Sequence, residues 1–126
     1  DLDFPRAQTI VQTFVNKYPD LGGVFATYSF ATQYGAAGLL SLGVQDKVKL
    51  VGFEAGPKEI QYLKQGVLGA TIAQQPALEG EKAVEAAYYA AMGETDKIEP
   101  SVTLPDVAIT AENVDDSTQY YYAVEK

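Results

Sequence analysis

Short apolar runs alternate with stretches in which apolar residues recur every three or four positions, and this rhythm persists from residue 5 to residue 92. Three runs are nearly continuously apolar: Gly23 to Thr27, Lys49 to Phe53 and Gly69 to Ala73. Strands covered by helices on both faces read this way, because neither face meets water. The intervening stretches carry helical spacing instead. Ile10, Val11, Phe14, Val15 and Tyr18 form an apolar stripe over a first helix from about Pro5 to Tyr18. Tyr34, Ala37, Gly38 and Leu42 do the same over Ala31 to Leu42, and Ile60, Leu63 and Lys64 over Pro57 to Gln65.

The punctuation agrees with these boundaries. Asp3 with Pro5 suits a helix start, Pro19-Asp20 and Gly22-Gly23 break the first helix, and Gly43 and Gly66 stand where the next two should stop. Ala55-Gly56-Pro57 is a turn that places proline in the first helical turn. Beyond Gln74-Gln75-Pro76 a long Ala-rich helix is expected from Leu78 to Met92, stopped by Gly93, with Ala83, Val84, Ala87, Tyr88 and Ala91 on its apolar side. Ser101 to Ala111 reads as extended chain, and Pro105 argues for two short pieces crossing between layers, since proline is not accommodated in a central ladder. The tail from Asn113 to Lys126, with Tyr120, Tyr121 and Tyr122, suits a short closing helix.

Strand alternating with helix in this way predicts an α/β fold, with a parallel sheet built from right-handed βαβ units and flanked by helices. A chain of 126 residues is about one domain long, enough to bury roughly two-thirds of its unfolded surface. Nine basic against seventeen acidic residues give a net charge of −8, which repels nucleic acid and anionic membrane surfaces. No apolar run is long enough to cross a bilayer, so direct membrane insertion is not expected. The absence of His and Cys excludes imidazole acid–base chemistry, thiolate nucleophiles and thiolate zinc sites from these residues. No cofactor or metal site is indicated. The opening Asp1-Leu2-Asp3-Phe4-Pro5 reads as a start in mid-protein.

The candidate chemistry sits at the strand ends. The three runs are followed by Tyr28 and Ser29, by Glu54 and by Gln74, and ligands of open parallel sheets bind outside the carboxyl ends of the strands. Carboxylate, amide and aromatic ring together suit a sugar, whose vicinal hydroxyls pair with planar polar groups and whose C–H face stacks on a ring. Each residue also has a plainer reading. Glu54 suits a solvated turn carboxylate at the macrodipole of the third helix, Gln74 a backbone brace, Tyr28 and Phe30 packing, and Ser29 a helix cap. Gly35-Ala36-Ala37-Gly38 lies inside a helix, where small residues permit close packing; a dinucleotide fingerprint needs its glycines before the helix. Asp115-Asp116 reads as a solvated pair or cap.

The order Tyr18-Pro19-Asp20, Val24-Phe25-Ala26, Val51-Gly52-Phe53-Glu54, Gly66 through Pro76, Gly80 and Ile109 through Asp115 resembles the carboxy-terminal half of a ribose-type periplasmic sugar-binding protein. These are the solute receptors of ABC importers, of the periplasmic binding protein type I fold shared with LacI-type effector domains. The resemblance implies two flavodoxin-like lobes that close on a sugar about three crossing strands. Residues 1–75 would then be the second half of the carboxy-terminal lobe. Residues 76–104 would be a helix and strand returning to the amino-terminal lobe, and 105–126 a hinge crossing with a closing tail. It places the acidic sugar ligand on Glu54 and the amide ligand on Gln74. The family's Asn-Asp pair falls on Tyr28 and Ser29, a departure that leaves the identity of the solute open.

What the resemblance implies is non-catalytic binding of a small sugar or similar polar solute, a permease as partner through the full-length parent, and an amino-terminal lobe completing the cleft. The expected location is periplasmic or extracellular, with room for a lipid anchor on a preceding region. Without that lobe, self-association over the Ala-rich helix is expected. Two other classes stay open at this point: a LacI-type regulator, which needs a helix-turn-helix not seen here, and a small flavodoxin-like hydrolase, for which no nucleophile stands beside an evident base.

Overall fold

The computed structural model describes residues 4–117 and residue 120, and they fall into two compact units. The first comprises residues up to Ala73 together with those from Val107, and the second runs from Gln74 to Asp106. Asp3, Tyr121, Tyr122 and most of the expected closing helix lie outside the described residues.

The first unit contains, in chain order, α1 (Phe4–Lys17), β1 (Gly23–Phe25), α2 (Ser29–Leu42), β2 (Lys49–Phe53), α3 (Pro57–Lys64), β3 (Leu68–Ala73) and, after the second unit, β4 (Val107–Thr110). The sheet order is β1-β2-β3-β4, with the first three strands parallel and β4 antiparallel to β3. An open, mostly parallel sheet with flanking helices is the expected α/β arrangement. Gly43 ends α2 in the left-handed conformation, its N–H reaching back to the last turn, as a helix stop should.

Helix α2 packs against α1, β2 and α3, while α3 covers β3, so these helices share one face of the sheet. Leu39, Leu50, Leu63 and Ile109 are fully buried beneath them. Burial of one such side chain is worth about 1.5–3 kcal/mol. Gly38 is small where α2 crosses α1: a Cβ there would stand 3.0 Å from the Gln8 carbonyl oxygen. The other face of the sheet corrects the expectation of helices on both sides. Phe25 is 58% exposed, and Val51, Phe53 and Ile72, in register on the same face, are only partly buried.

The second unit holds α4 (Pro76–Met92), ended by a left-handed Gly93, and one 3-10 turn, Thr95–Lys97. None of the residues of α4 is buried. The strand expected within 76–104 is not formed: among the described residues, that stretch contains only the helix and the 3-10 turn. Prolines 100 and 105 bracket a segment that has no ladder partner, so Ser101 to Asp106 stays irregular and the single strand β4 starts at Val107.

Candidate functional site

Because β1 and β2 are parallel neighbours, the residues following their carboxyl ends lie along one rim of the first unit. Strand β1 yields to Tyr28, which precedes α2 with fully extended backbone (φ −163°, ψ 162°), and Ser29 opens the helix. Strand β2 yields to Glu54, whose φ of +84° lies in the left-handed region. A non-glycine residue held there costs on the order of 1–3 kcal/mol and persists only where its surroundings impose it. Two hydrogen bonds from β3 do so. The Glu54 N–H donates to the Ile72 carbonyl (2.8 Å), and the Thr71 hydroxyl donates to the Glu54 carbonyl (2.6 Å).

Thr32, fully buried in α2, joins the first two strand ends. Its hydroxyl lies 3.1 Å from the Tyr28 carbonyl as a donor and accepts from the Phe53 N–H at 3.0 Å. The backbone of Tyr28 and the residue before Glu54 are therefore braced through one hydroxyl.

A second link joins the starts of α2 and α3. Ser29 Oγ donates to Glu59 Oε1 at 2.5 Å, and Gln33 Nε2 is 3.0 Å from both of those oxygens. Glu59 is completely buried, and its Oε2 has no hydrogen-bond partner. That oxygen sits 2.7 Å from where a Cβ on Gly56 would be, so the carboxylate enters over the bare backbone of a glycine. Glu59 and Gln33 went unread in the sequence. The only available signal was an acidic residue at the third position of a helix opened by Gly-Pro, a capping-box place whose side chain turns here to a neighbouring helix.

The structure thus brings Tyr28, Ser29 and Glu54 to the adjacent carboxyl ends of β1 and β2 in the first unit. Tyr28 is 40% exposed, and Ser29 and Glu54 are partly buried. Ser29 is more than a helix-start residue, since its proton is committed to Glu59. Gln74 follows β3 and is the first residue of the second unit, where its neighbour Gln75 donates to the Pro105 carbonyl at 2.6 Å.

Beside the Ser29 cluster, between α2 and α3, is a cleft of about 220 Å³ lined by Gln33, Tyr34, Ala37, Lys58 and Tyr62. The Lys58 ammonium lies 4.8 Å from the Tyr62 ring centre. Burial, and secondarily the Glu59 charge, hold the Tyr62 phenol above its ordinary pKa. In the second unit a cleft of about 150 Å³ is lined by side chains that include Lys82, Glu85, Tyr89 and Lys97. Both lysines there are paired with glutamates, Lys82 with Glu85 and Lys97 with Glu94. Among the described residues, no group of acidic side chains is placed to hold a metal ion.

Residues 1–95 match the model of the periplasmic binding protein domain. The chain belongs to this family. It is 34% identical over 94 residues to the ribose import binding protein of Salmonella typhimurium and 29% identical over 105 residues to that of Bacillus subtilis. These alignments take in 75% and 83% of the chain but 31% and 33% of the relatives, so the chain spans about a third of their length. Among solved structures it is similar to an ABC transporter solute-binding protein of Agrobacterium vitis bound to α-D-tagatopyranose. That similarity has a TM-score of 0.88 and 30% identity, over 97% of this chain and 41% of the other. A second Agrobacterium vitis solute-binding protein, with D-fucose bound, shares the fold at a TM-score of 0.87 and 22% identity, over 94% and 41% of the two chains. The periplasmic binding protein type I arrangement is thus the fold of this chain.

Proposed function

We propose that this chain is part of the substrate-binding protein of an ABC importer and contributes one rim of the cleft that holds a small sugar or similar polar solute. The observation that carries the proposal is the placement of Glu54 beside Tyr28 and Ser29 at adjacent carboxyl ends of parallel strands. Glu54 offers an acceptor-only carboxylate, Tyr28 a half-exposed ring and Ser29 a hydroxyl; Gln74, past the end of β3, adds an amide. Hydrogen bonds from neutral hydroxyls to a carboxylate are worth about 1.5–3 kcal/mol each.

Binding is non-catalytic in this reading: the solute shifts a hinge equilibrium by its greater affinity for the closed state. The partners are the sugar, a lobe completing the cleft and a permease. The location is periplasmic or extracellular, with any lipid anchor carried by a preceding region. The import-binding relatives support transport over gene regulation.

A thermal-shift screen of the chain against pentoses, hexoses, polyols and nucleosides tests the proposal. A ligand at one hundred times its dissociation constant adds about 2.7 kcal/mol, which moves a domain of this size by several degrees. The expected result is a shift with a sugar that Glu54→Ala abolishes. A sugar shift that survives Glu54→Ala removes Glu54 from the site, and no shift with any compound counts against a working site on this rim.

A further inference from the structure

We propose that Glu59, which does not itself meet the solute, fixes the hydrogen-bonding polarity of Ser29, so that the rim presents Ser29 Oγ to the solute as an acceptor and selects a hydroxyl that donates there. This deepens the sugar-binding reading and rests on it.

With Glu59 as the carboxylate, the proton count at the cluster leaves one arrangement. A serine hydroxyl has one proton and two lone pairs, a carboxylate only accepts, and an amide nitrogen only donates. Glu59 Oε1 lies 2.5 Å from Ser29 Oγ, so the hydroxyl proton is directed at Glu59. Gln33 Nε2, at 3.0 Å from both oxygens, donates toward them; the reversed amide would set a carbonyl oxygen against a carboxylate. Ser29 therefore keeps one lone pair and no free proton.

Three features hold this polarity. Glu59 is fully buried, so water does not compete for its Oε1. Its Oε2 is without a partner, which leaves Ser29 and Gln33 as the groups that satisfy the carboxylate. Gly56 supplies the space, since a Cβ there would meet Oε2 at 2.7 Å. Ser29 Oγ on the rim therefore asks for a donor. A polyol hydroxyl meets that demand; a methyl ether, a fluorine or a carbonyl oxygen at the same place does not.

Two measurements on the 126-residue chain test the inference. The first needs no ligand. Proton NMR should show a slowly exchanging Ser29 hydroxyl proton with a cross-peak to the Glu59 γ-protons, lost in Glu59→Ala and weakened in Gly56→Ala, which crowds the carboxylate without altering any cluster member. A Ser29 hydroxyl exchanging as fast as that of exposed Ser101 overturns the inference, and this comparison in the unsubstituted chain stands even if a variant fails to fold.

The second uses D-ribose and its 2- and 3-deoxyfluoro analogues, which are uncharged and cannot donate at the substituted carbon. One analogue should bind roughly tenfold more weakly than ribose. In Glu59→Gln that ratio should fall to about threefold or less, because an amide there can donate to Ser29 Oγ and release its proton. An unchanged ratio with ribose still bound overturns the inference while sparing the sugar reading. Failure of every ribose to bind, with the Ser29–Glu59 cross-peak present, removes ribose as the solute, moves the analogue comparison to whichever sugar the thermal-shift screen finds, and leaves the acceptor state of Ser29 established.

Discussion

Thr32 and Gly52 fill one space at the junction of α2 and β2: a Cβ on Gly52 would stand 2.3 Å from Thr32 Cγ2 and 3.0 Å from its hydroxyl. The hydroxyl that a larger residue 52 would displace is the one bridging Tyr28 and Phe53. Gly52→Ala should therefore destabilise the first unit by about 1–3 kcal/mol through overpacking. It should also speed amide exchange at Phe53, whose N–H donates to Thr32. Urea unfolding with hydrogen exchange checks both; an unchanged midpoint would mean that α2 shifts freely away from β2.

Glu54 combines an unfavourable backbone with the proposed ligand carboxylate. Glu54→Gly should be more stable than Glu54→Ala by about 1 kcal/mol, because glycine adopts a φ of +84° without a Cβ penalty. Both should lose the sugar-induced thermal shift. Equal stability of the two variants in denaturant melts would show that the turn relaxes once the side chain is removed.

Tyr62 predicts a pH dependence. Its phenol is raised above the ordinary value of 10.0 in the folded state by burial first and by Glu59 second. The folded chain then holds the proton more tightly than the unfolded chain. This contribution to stability is fully present below pH 10 and is lost as pH rises through the raised folded pKa. Tyr62→Phe should flatten that part of the alkaline decline, and Glu59→Gln should lower the Tyr62 pKa; NMR titration of the Tyr62 ring resonances reads both. A Tyr62 titrating at its ordinary value would show that water reaches the phenol.

Val84, Tyr88 and Met92 are spaced four apart on α4 and are 71%, 58% and 59% exposed. That stripe is the surface by which the 126-residue chain is expected to self-associate. Light scattering should give an average mass that rises with concentration, and replacing all three by serine should return it to the monomer value. A strict monomer at every concentration would show that the stripe is indifferent to a second copy.

Local physics wrote most of the elements into the sequence. The apolar run Lys49 to Phe53 is β2 residue for residue, and Gly43 and Gly93 end their helices. Periodicity reports burial within an element and end signals report backbone conformation, and both are properties of neighbouring residues. The family likeness was legible for the same reason, since it rests on the order of such runs. Tertiary structure decided what depends on distant partners. Whether Ser101 to Thr110 forms a strand depends on a ladder partner, and only Val107–Thr110 found one, antiparallel on β3. Which sheet face stays open depends on which helices lie across it. The union of Ser29 with Glu59, thirty residues apart, exists because parallel pairing of β1 and β2 sets the starts of α2 and α3 side by side, where a buried carboxylate must take its donors from the next helix.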